Sequence, residues 1–265
     1  MSSQGAARAK ERAPEPTSST SAHAVARSAV GAPAHGHARS APGLRVLQRD
    51  EPWEKLPEEW DALEPRGLYA GHLRTPLLWC VAACGALPAL AVGVCIALVN
   101  AFVIGSPRQV LFGQERVGRR GRVFRLWKFR TMRGTAADGS DEERVTRFGR
   151  LLRNSHLDEL PQLINVLRGE MCLIGPRPEM VEIERWAVDA VPGFEERLAL
   201  TPGLTGWAQI TQGYAAQDAE AYALKRDKNR EYAARISPAG DVAILLRTVS
   251  WVLKRKGWWP SGKRA

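Results

Sequence analysis

The chain has 265 residues and carries 38 Lys and Arg against 28 Asp and Glu, a formal net charge of +10. That length holds one sizeable domain with extensions, and the basic balance points to phosphate-bearing partners such as nucleotides, nucleic acid or anionic lipid headgroups. The four cysteines, Cys80, Cys84, Cys95 and Cys172, have neither zinc-ligand nor disulfide spacing, which argues against a disulfide scaffold or a cysteine-built zinc centre and fits a reducing compartment.

Residues 1–50 are rich in Ala, Ser, Gly, Pro and Arg with few large hydrophobes. Such a segment cannot bury enough apolar surface to offset its ordering entropy, so a disordered tail is expected. Residues 51–76, with Trp53, Trp60 and Tyr69, read as an interfacial or connecting segment. Residues 77–104 are uncharged and largely apolar, longer than the roughly 18 residues that mark a membrane-helix candidate. As a straight helix they would extend roughly 42 Å, beyond a hydrocarbon core of about 30 Å. Pro88 lies near the middle and is expected to break the helix. A re-entrant hairpin and a kinked span are both open, with a buried core helix as the third reading. The following stretch holds Arg108, Arg116, Arg119, Arg120, Arg122, Arg125, Lys128 and Arg130 against Glu115 alone. By the positive-inside rule the domain that follows, residues 105–256, faces the cytoplasm.

Residues 110–131 alternate and turn at Arg119-Arg120-Gly121, the pattern of a β-hairpin. Arg144, Arg147, Arg150 and Arg153 then recur every third residue. Next, Asp158-Glu159 precede Pro161, and Leu160, Leu163, Ile164 and Leu167 make one helix face. Proline is comfortable only in a helix's first turn, so the two acids are expected at a helix N-terminus, beside free amides that favour anions. Carboxylates among arginines suggest a metal–phosphate site. The competing reading is a capping box from Ser155 to Asp158. Gly175-Pro176-Arg177-Pro178 fixes an arginine in a stiff turn, and Thr201-Pro202-Gly203 begins another. The segment from Asp241 to Trp259 reads as an amphipathic core helix or an interfacial one, with residues 257–265 as a C-terminal tail. Gly-x-Gly-x-x-Gly, His-Glu-x-x-His and Asp-x-Asp are absent, and Gly113 to Arg120 lacks the Lys-Ser/Thr of a P-loop.

Six ordered blocks carry more weight than any one of these. They are Phe112-Gly-Gln-Glu-Arg-Val-Gly118, Lys128-Phe-Arg-Thr-Met132, Thr146-Arg-Phe-Gly-Arg-Leu-Leu-Arg153, the run from Leu157 to Met171, Ile174-Gly-Pro-Arg-Pro-Glu179 and Pro202-Gly-Leu-Thr-Gly-Trp-Ala-Gln209. Together, over about residues 77–256, they resemble the bacterial sugar transferase family, the monotopic polyprenyl-phosphate phosphoglycosyl transferases. The resemblance implies transfer of a sugar 1-phosphate from a UDP-sugar to polyprenyl (undecaprenyl) phosphate, releasing UMP, as the first membrane step of exopolysaccharide, O-antigen or related glycan assembly. It implies Asp158 as the nucleophile of a covalent phosphosugar intermediate and Glu159, with Asp158, as the holder of Mg²⁺. It sets Lys128, Arg130, Arg153 and Arg177 around the phosphates. Arg147 and Arg150 suit a solvated or headgroup-binding face equally. Gln209, Asp227 and Tyr232 match family positions without an assignable role. Leu87-Pro88 stands where relatives often have Ser-Pro, and Ser155-His156 where Thr-Ser is commoner.

The fold implied is mixed α/β and mostly helical, a membrane-associated domain with one re-entrant or kinked spanning hydrophobic helix and a small β-hairpin. The location implied is the bacterial inner membrane, with membrane lipid as a partner and a homo-oligomer left open. No interleaved aromatics lie on a basic face, so nucleic acid is not expected. The alternative is a membrane-anchored, non-catalytic scaffold or anionic-ligand binding protein in polysaccharide assembly.

Overall fold

The computed structural model describes residues 61–135, 140–213 and 217–253, without the side chains of Asp141, Glu142 and Leu253. The expected disordered tail over 1–50, the first part of the 51–76 segment and everything from residue 254 onward, including the 257–265 tail, lie outside the described residues.

A π-helical turn, Tyr69–Leu73, leads directly into α1, Arg74–Ile104. Gly105, at φ 81°, ends it in the left-handed conformation that glycine adopts without penalty. The break expected at Pro88 does not occur, because α1 runs through it as one helix. A proline removes one backbone donor, and the long apolar turns on either side keep theirs. One side of α1 faces the rest of the fold, with Leu78, Ala82, Ile96 and Asn100 buried. The other is exposed, Leu87, Leu90, Leu98 and Phe102 among it. Tyr69–Ile104 is the one helix among the described residues long and apolar enough to cross a membrane.

Both ends of α1 are bonded to the same domain. Near its start, Arg74 Nε donates to Asp241 Oδ2 at 2.8 Å, and its guanidinium also reaches the Ile174 carbonyl and the Tyr232 hydroxyl. The Tyr69 and Tyr232 hydroxyls donate to the same carboxylate, each at 2.9 Å. This places Tyr232, which had no assignable role, in a buried strut under α1. Near the end of α1, Asn100 Nδ2 donates to the Arg130 carbonyl at 2.9 Å and the Val110 carbonyl at 3.3 Å. Between the ends, Trp79 Nε1 donates to the Leu167 carbonyl at 3.2 Å.

The expected hairpin is present. Strands β1 (Leu111–Val117) and β2 (Val123–Phe129) pair antiparallel, Leu111 opposite Phe129 and Val117 opposite Val123. Phe124 and Leu126 face a core with Ala82 of α1, Val166 and Met171. Helices α2 (Asp141–Arg144), α3 (Arg147–Asn154) and α4 (Gln162–Leu167) follow. Asn165 of α4 completes the sheet with its side chain: Oδ1 accepts from the Trp127 amide at 3.1 Å, and Nδ2 donates to the Arg125 carbonyl at 2.7 Å. Then come β3 (Cys172–Ile174), α5 (Val181–Ala190), β4 (Gly203–Thr205), α6 (Trp207–Gln212), α7 (Ala219–Ala234) and α8 (Pro238–Leu253).

The turn expected at Thr201-Pro202-Gly203 thus continues into a strand. β4 pairs parallel with β3, Cys172 opposite Gly203 and Ile174 opposite Thr205. The glycines permit it. A Cβ on Gly203 would fall 2.0 Å from the Gly175 nitrogen, and one on Gly206 2.1 Å from the Gly175 oxygen. The two glycine-containing turns therefore pack backbone against backbone. The whole is mostly helical, with two two-stranded sheets and one long apolar helix.

Candidate active site

Asp158 and Glu159 lie in a single 3₁₀ turn, Leu157–Glu159, that precedes α4 instead of opening it. The reason is local. His156 takes a left-handed conformation, φ 57°, which closes α3 and forces a fresh turn. The capping box does not form either: Ser155 Oγ donates back to the Leu151 and Leu152 carbonyls at 2.8 and 3.2 Å. His156 is held by stacking on Trp251 of α8, ring centroids 4.9 Å apart.

Asp158 is 8% exposed and lines a cavity of about 460 Å³ together with Lys128, Arg130, Arg153, Arg177 and Glu159. All six expected site residues therefore share one cavity. Lys128 Nζ donates to Glu159 Oε1 at 2.6 Å, and Arg177 donates to the same oxygen at 3.1 Å. Arg153 Nε donates to Thr131 Oγ1 at 2.8 Å. Arg130 donates to the Gln109 carbonyl at 2.9 Å and lies over the Phe112 ring.

The arginine stripe is split. α2 ends at Arg144 and α3 begins at Arg147, so one helix does not present all four. Arg144 and Arg153 line the cavity, while Arg147 and Arg150 are exposed, as suits a solvated face. Gln209 lines a neighbouring apolar groove. Asp227 is exposed and pairs with Arg226 at 2.8 Å, away from the cavity lining.

The turn that presents Arg177 is fixed through consecutive carbonyls. Those of Pro176, Arg177, Pro178 and Glu179 accept from Gly203 N, Arg197, Arg116 and Val117 N, at 2.9, 3.0, 3.1 and 2.9 Å. Arg197 is buried and ion-paired to the fully buried Glu184 of α5. Arg197 and Glu184 stood out in no sequence pattern, and Arg116, Thr131 and Asn165, though they lie in the ordered blocks, had no role assigned to them. Their contacts are tertiary, and only Asn165, a polar residue in an apolar helix pattern, left a readable sign.

Burial pushes Asp158 up to about 6; Lys128 opposes that rise, Glu159 adds to it, and Arg153 and Arg177 oppose it. Burial acts on Glu159 in the same sense, but Arg177 and Lys128 outweigh it and hold this carboxyl well below the usual range. Lys128 is lowered by burial, with Glu159 opposing. The result is two adjacent carboxylates of different character: Glu159 is a fixed anion, and Asp158 is a buried carboxylate with no hydrogen bond from another side chain among the described residues.

No group of three or more potential ligands clusters among the described residues. Mg²⁺ does not need one, since it takes one or two carboxylates and completes its shell with phosphate oxygens and water. Both cations on Glu159 use Oε1, which leaves Oε2 and the Asp158 carboxylate as hard oxygen donors on one turn. These residues fit such an ion.

A family model described as bacterial sugar transferase matches residues 76–255. Among curated relatives, the UDP-N-acetylgalactosamine-undecaprenyl-phosphate N-acetylgalactosaminephosphotransferase of Aeromonas hydrophila is 40% identical over 56% of this chain and 36% of its own length. The UDP-glucose:undecaprenyl-phosphate glucose-1-phosphate transferase of Xanthomonas campestris is 36% identical over 71% of this chain and 39% of its own length. That of Caulobacter vibrioides is 38% identical over 65% of this chain and 67% of its own length. The chain thus spans well under half the length of the first two. The family match covers the cavity, the Arg177 turn and α1 together, and this chain belongs to the bacterial sugar transferase family.

Proposed function

We propose that this protein transfers a sugar 1-phosphate from a UDP-sugar to a polyprenyl phosphate, giving polyprenyl diphosphate sugar and UMP. The observation that carries this reading is Asp158: a buried carboxylate without a hydrogen-bonding side-chain partner among the described residues, lining a cavity walled by cations, in a chain of this family. An Asp158 oxygen attacks the phosphorus next to the sugar, the bond to the bridging oxygen breaks, and UMP departs with that electron pair. An oxygen of the polyprenyl phosphate then attacks the same phosphorus, the Asp158–phosphorus bond breaks, and the carboxylate is restored. Splitting one displacement into two in this way is nucleophilic catalysis.

Anion must meet anion in both steps, so the surrounding charge decides the rate. Lys128, Arg153 and Arg177 are placed to neutralise the diphosphate and the transferring group, and because all three are half-buried each contact is stronger than in water. Arg130 is the fourth candidate on the phosphates. Mg²⁺, when held by Glu159 and Asp158, would supply further charge neutralisation to the diphosphate. Glu159 also fixes Lys128 and Arg177 in place.

The membrane reading follows from α1. Its outer face exposes large apolar side chains along its length, Leu77, Leu87, Leu90, Leu98 and Phe102 among them, as a membrane or protein contact surface does. Both of its ends are bonded to one domain, so a full crossing would carry part of that domain through the bilayer. That supports a helix seated in one leaflet, with the catalytic region on the cytoplasmic side of the inner membrane. The setting we propose is the first membrane step of exopolysaccharide or related glycan assembly.

The test is UMP release by the full chain in lipid nanodiscs with undecaprenyl phosphate, Mg²⁺ and a panel of UDP-sugars. Release that requires both the lipid phosphate and Asp158 supports the reading and names the sugar. Folded protein that releases no UMP with any donor would overturn it.

A further inference from the structure

Two apolar grooves lie near the cavity. One, about 670 Å³, runs between α1 and α4 past Ala89, Gly93, Leu160 and Leu163. The other, about 490 Å³, runs between α4 and α8 past Leu163, Leu245, Val249 and Trp251. They differ at the end that meets the cavity. The first shares only the Phe129 ring with it. The second shares His156, Glu159 and Arg177, and so carries a cation and the turn of the nucleophile at its head.

We infer that the α4–α8 groove seats the acceptor lipid, its phosphate at Arg177 and the first isoprene units against Leu163, Leu245 and Val252. This rests on the proposed transferase reading. The chemistry of the groove selects its occupant. A nucleotide sugar has no long apolar part to fill it, and a neutral lipid has no use for the guanidinium at its head. An amphiphile with one anionic end satisfies both. The groove is also continuous with an apolar face on which a tail can leave the protein: Val242, Leu246 and Val249 recur along α8 and are 55%, 67% and 57% exposed. Donor and acceptor then reach Asp158 from two sides of the same turn, the nucleotide through the polar cavity and the lipid through the groove. The His156–Trp251 stack forms part of the wall where the two meet.

The experiment separates the two substrates. Leu245→Trp and Val252→Trp fill this groove without entering the α1–α4 groove, whose wall includes neither, and Leu245→Met, of similar volume, is the control. With wild type first shown to release UMP, we expect each filled variant to raise the KM for undecaprenyl phosphate and for farnesyl phosphate by about tenfold, the effect of losing one or two buried methylenes of contact. The KM for the UDP-sugar stays within about twofold, a change small on the scale of any lost contact. An unchanged acceptor KM in both folded variants overturns the groove. A photoreactive polyprenyl phosphate gives a readout on wild type alone: adducts mapped to α4 and α8 support the assignment, and adducts confined to Ala89–Leu98 of α1 move the acceptor to the other groove. Wild type that releases no UMP removes the transferase reading itself, a different outcome from either.

Discussion

Lys128 Nζ lies 2.6 Å from Glu159 Oε1, and the pair flanks Asp158 with charges of opposite sign. The two partners therefore act on Asp158, the proposed nucleophile, in opposite directions. Lys128 holds the Asp158 carboxylate down and Glu159 pushes it up. Lys128→Met should raise the acid limb of the kcat/KM profile above its wild-type position, and Glu159→Gln should lower it. The limb can be read on residual turnover or by carboxyl ¹³C titration. Shifts of the same sign in both variants would show that the limb does not report Asp158.

In wild type that limb belongs near 6, the value to which burial raises Asp158. Attack requires the anion, so kcat/KM rises with pH through this region and levels above it. The same shift has a stability consequence of defined sign. The folded state holds the Asp158 proton up to about 6 and the unfolded chain releases it near 3.8. Between those values the unfolded state binds fewer protons, so stability falls as pH rises. The total, at about 1.4 kcal/mol per unit, is about 3 kcal/mol. Asp158→Asn removes that cost. It should abolish turnover and yet unfold at a higher temperature than wild type at pH 8, with a smaller gain at pH 5. A variant that is both inactive and less stable at pH 8 would mean that Asp158 has a structural partner.

The parts of this arrangement legible in the sequence are those with a local cause. The hairpin was readable because alternation and an Arg-Arg-Gly turn sit within two dozen residues. Asp158, Glu159 and the four cations were readable through the ordered blocks, and they do meet in one cavity. Pro161 pointed to a helix beginning at itself, yet Asp158 and Glu159 ended in a separate turn. That turn depends on the left-handed backbone of His156, a conformation that histidine adopts more often than most residues but still only rarely. Pro88 pointed to a break that did not occur, since one missing donor does not end a helix as long and apolar as α1. Arg197 and Glu184 left no sign, because a buried ion pair reads as two surface charges until the fold joins them.

Arg197 acts on the site through backbone. It donates to the Arg177 carbonyl at 3.0 Å and is held from behind by Glu184. Arg197→Lys keeps the charge but cannot bridge both partners with its single nitrogen in the same geometry. We expect the KM for the UDP-sugar and that for the lipid phosphate, both proposed to meet Arg177, to rise by about tenfold with a smaller change in kcat, the pattern of lost ground-state positioning. The double variant with Arg177→Ala should be no worse than Arg177→Ala alone, since the two changes act through one side chain. Full additivity would separate Arg197 from Arg177.

The exposed face of α1 predicts its own behaviour. Leu90 and Leu98 are 63% and 70% exposed and touch little of the protein, so Leu90→Glu and Leu98→Glu should alter the stability of detergent-solubilised protein by no more than about 0.5 kcal/mol. In a leaflet the same charge costs up to about 3 kcal/mol, less toward the interface. Both variants should therefore move from the membrane pellet toward the soluble fraction while melting like wild type. Asn100→Ala should do the reverse. Its amide closes two backbone carbonyls at the end of α1, and leaving them unpaired costs about 1–3 kcal/mol without touching the exposed face. Glutamate variants that stay in the pellet but melt early would identify α1 as an internal helix covered by protein, and the leaflet reading would fail.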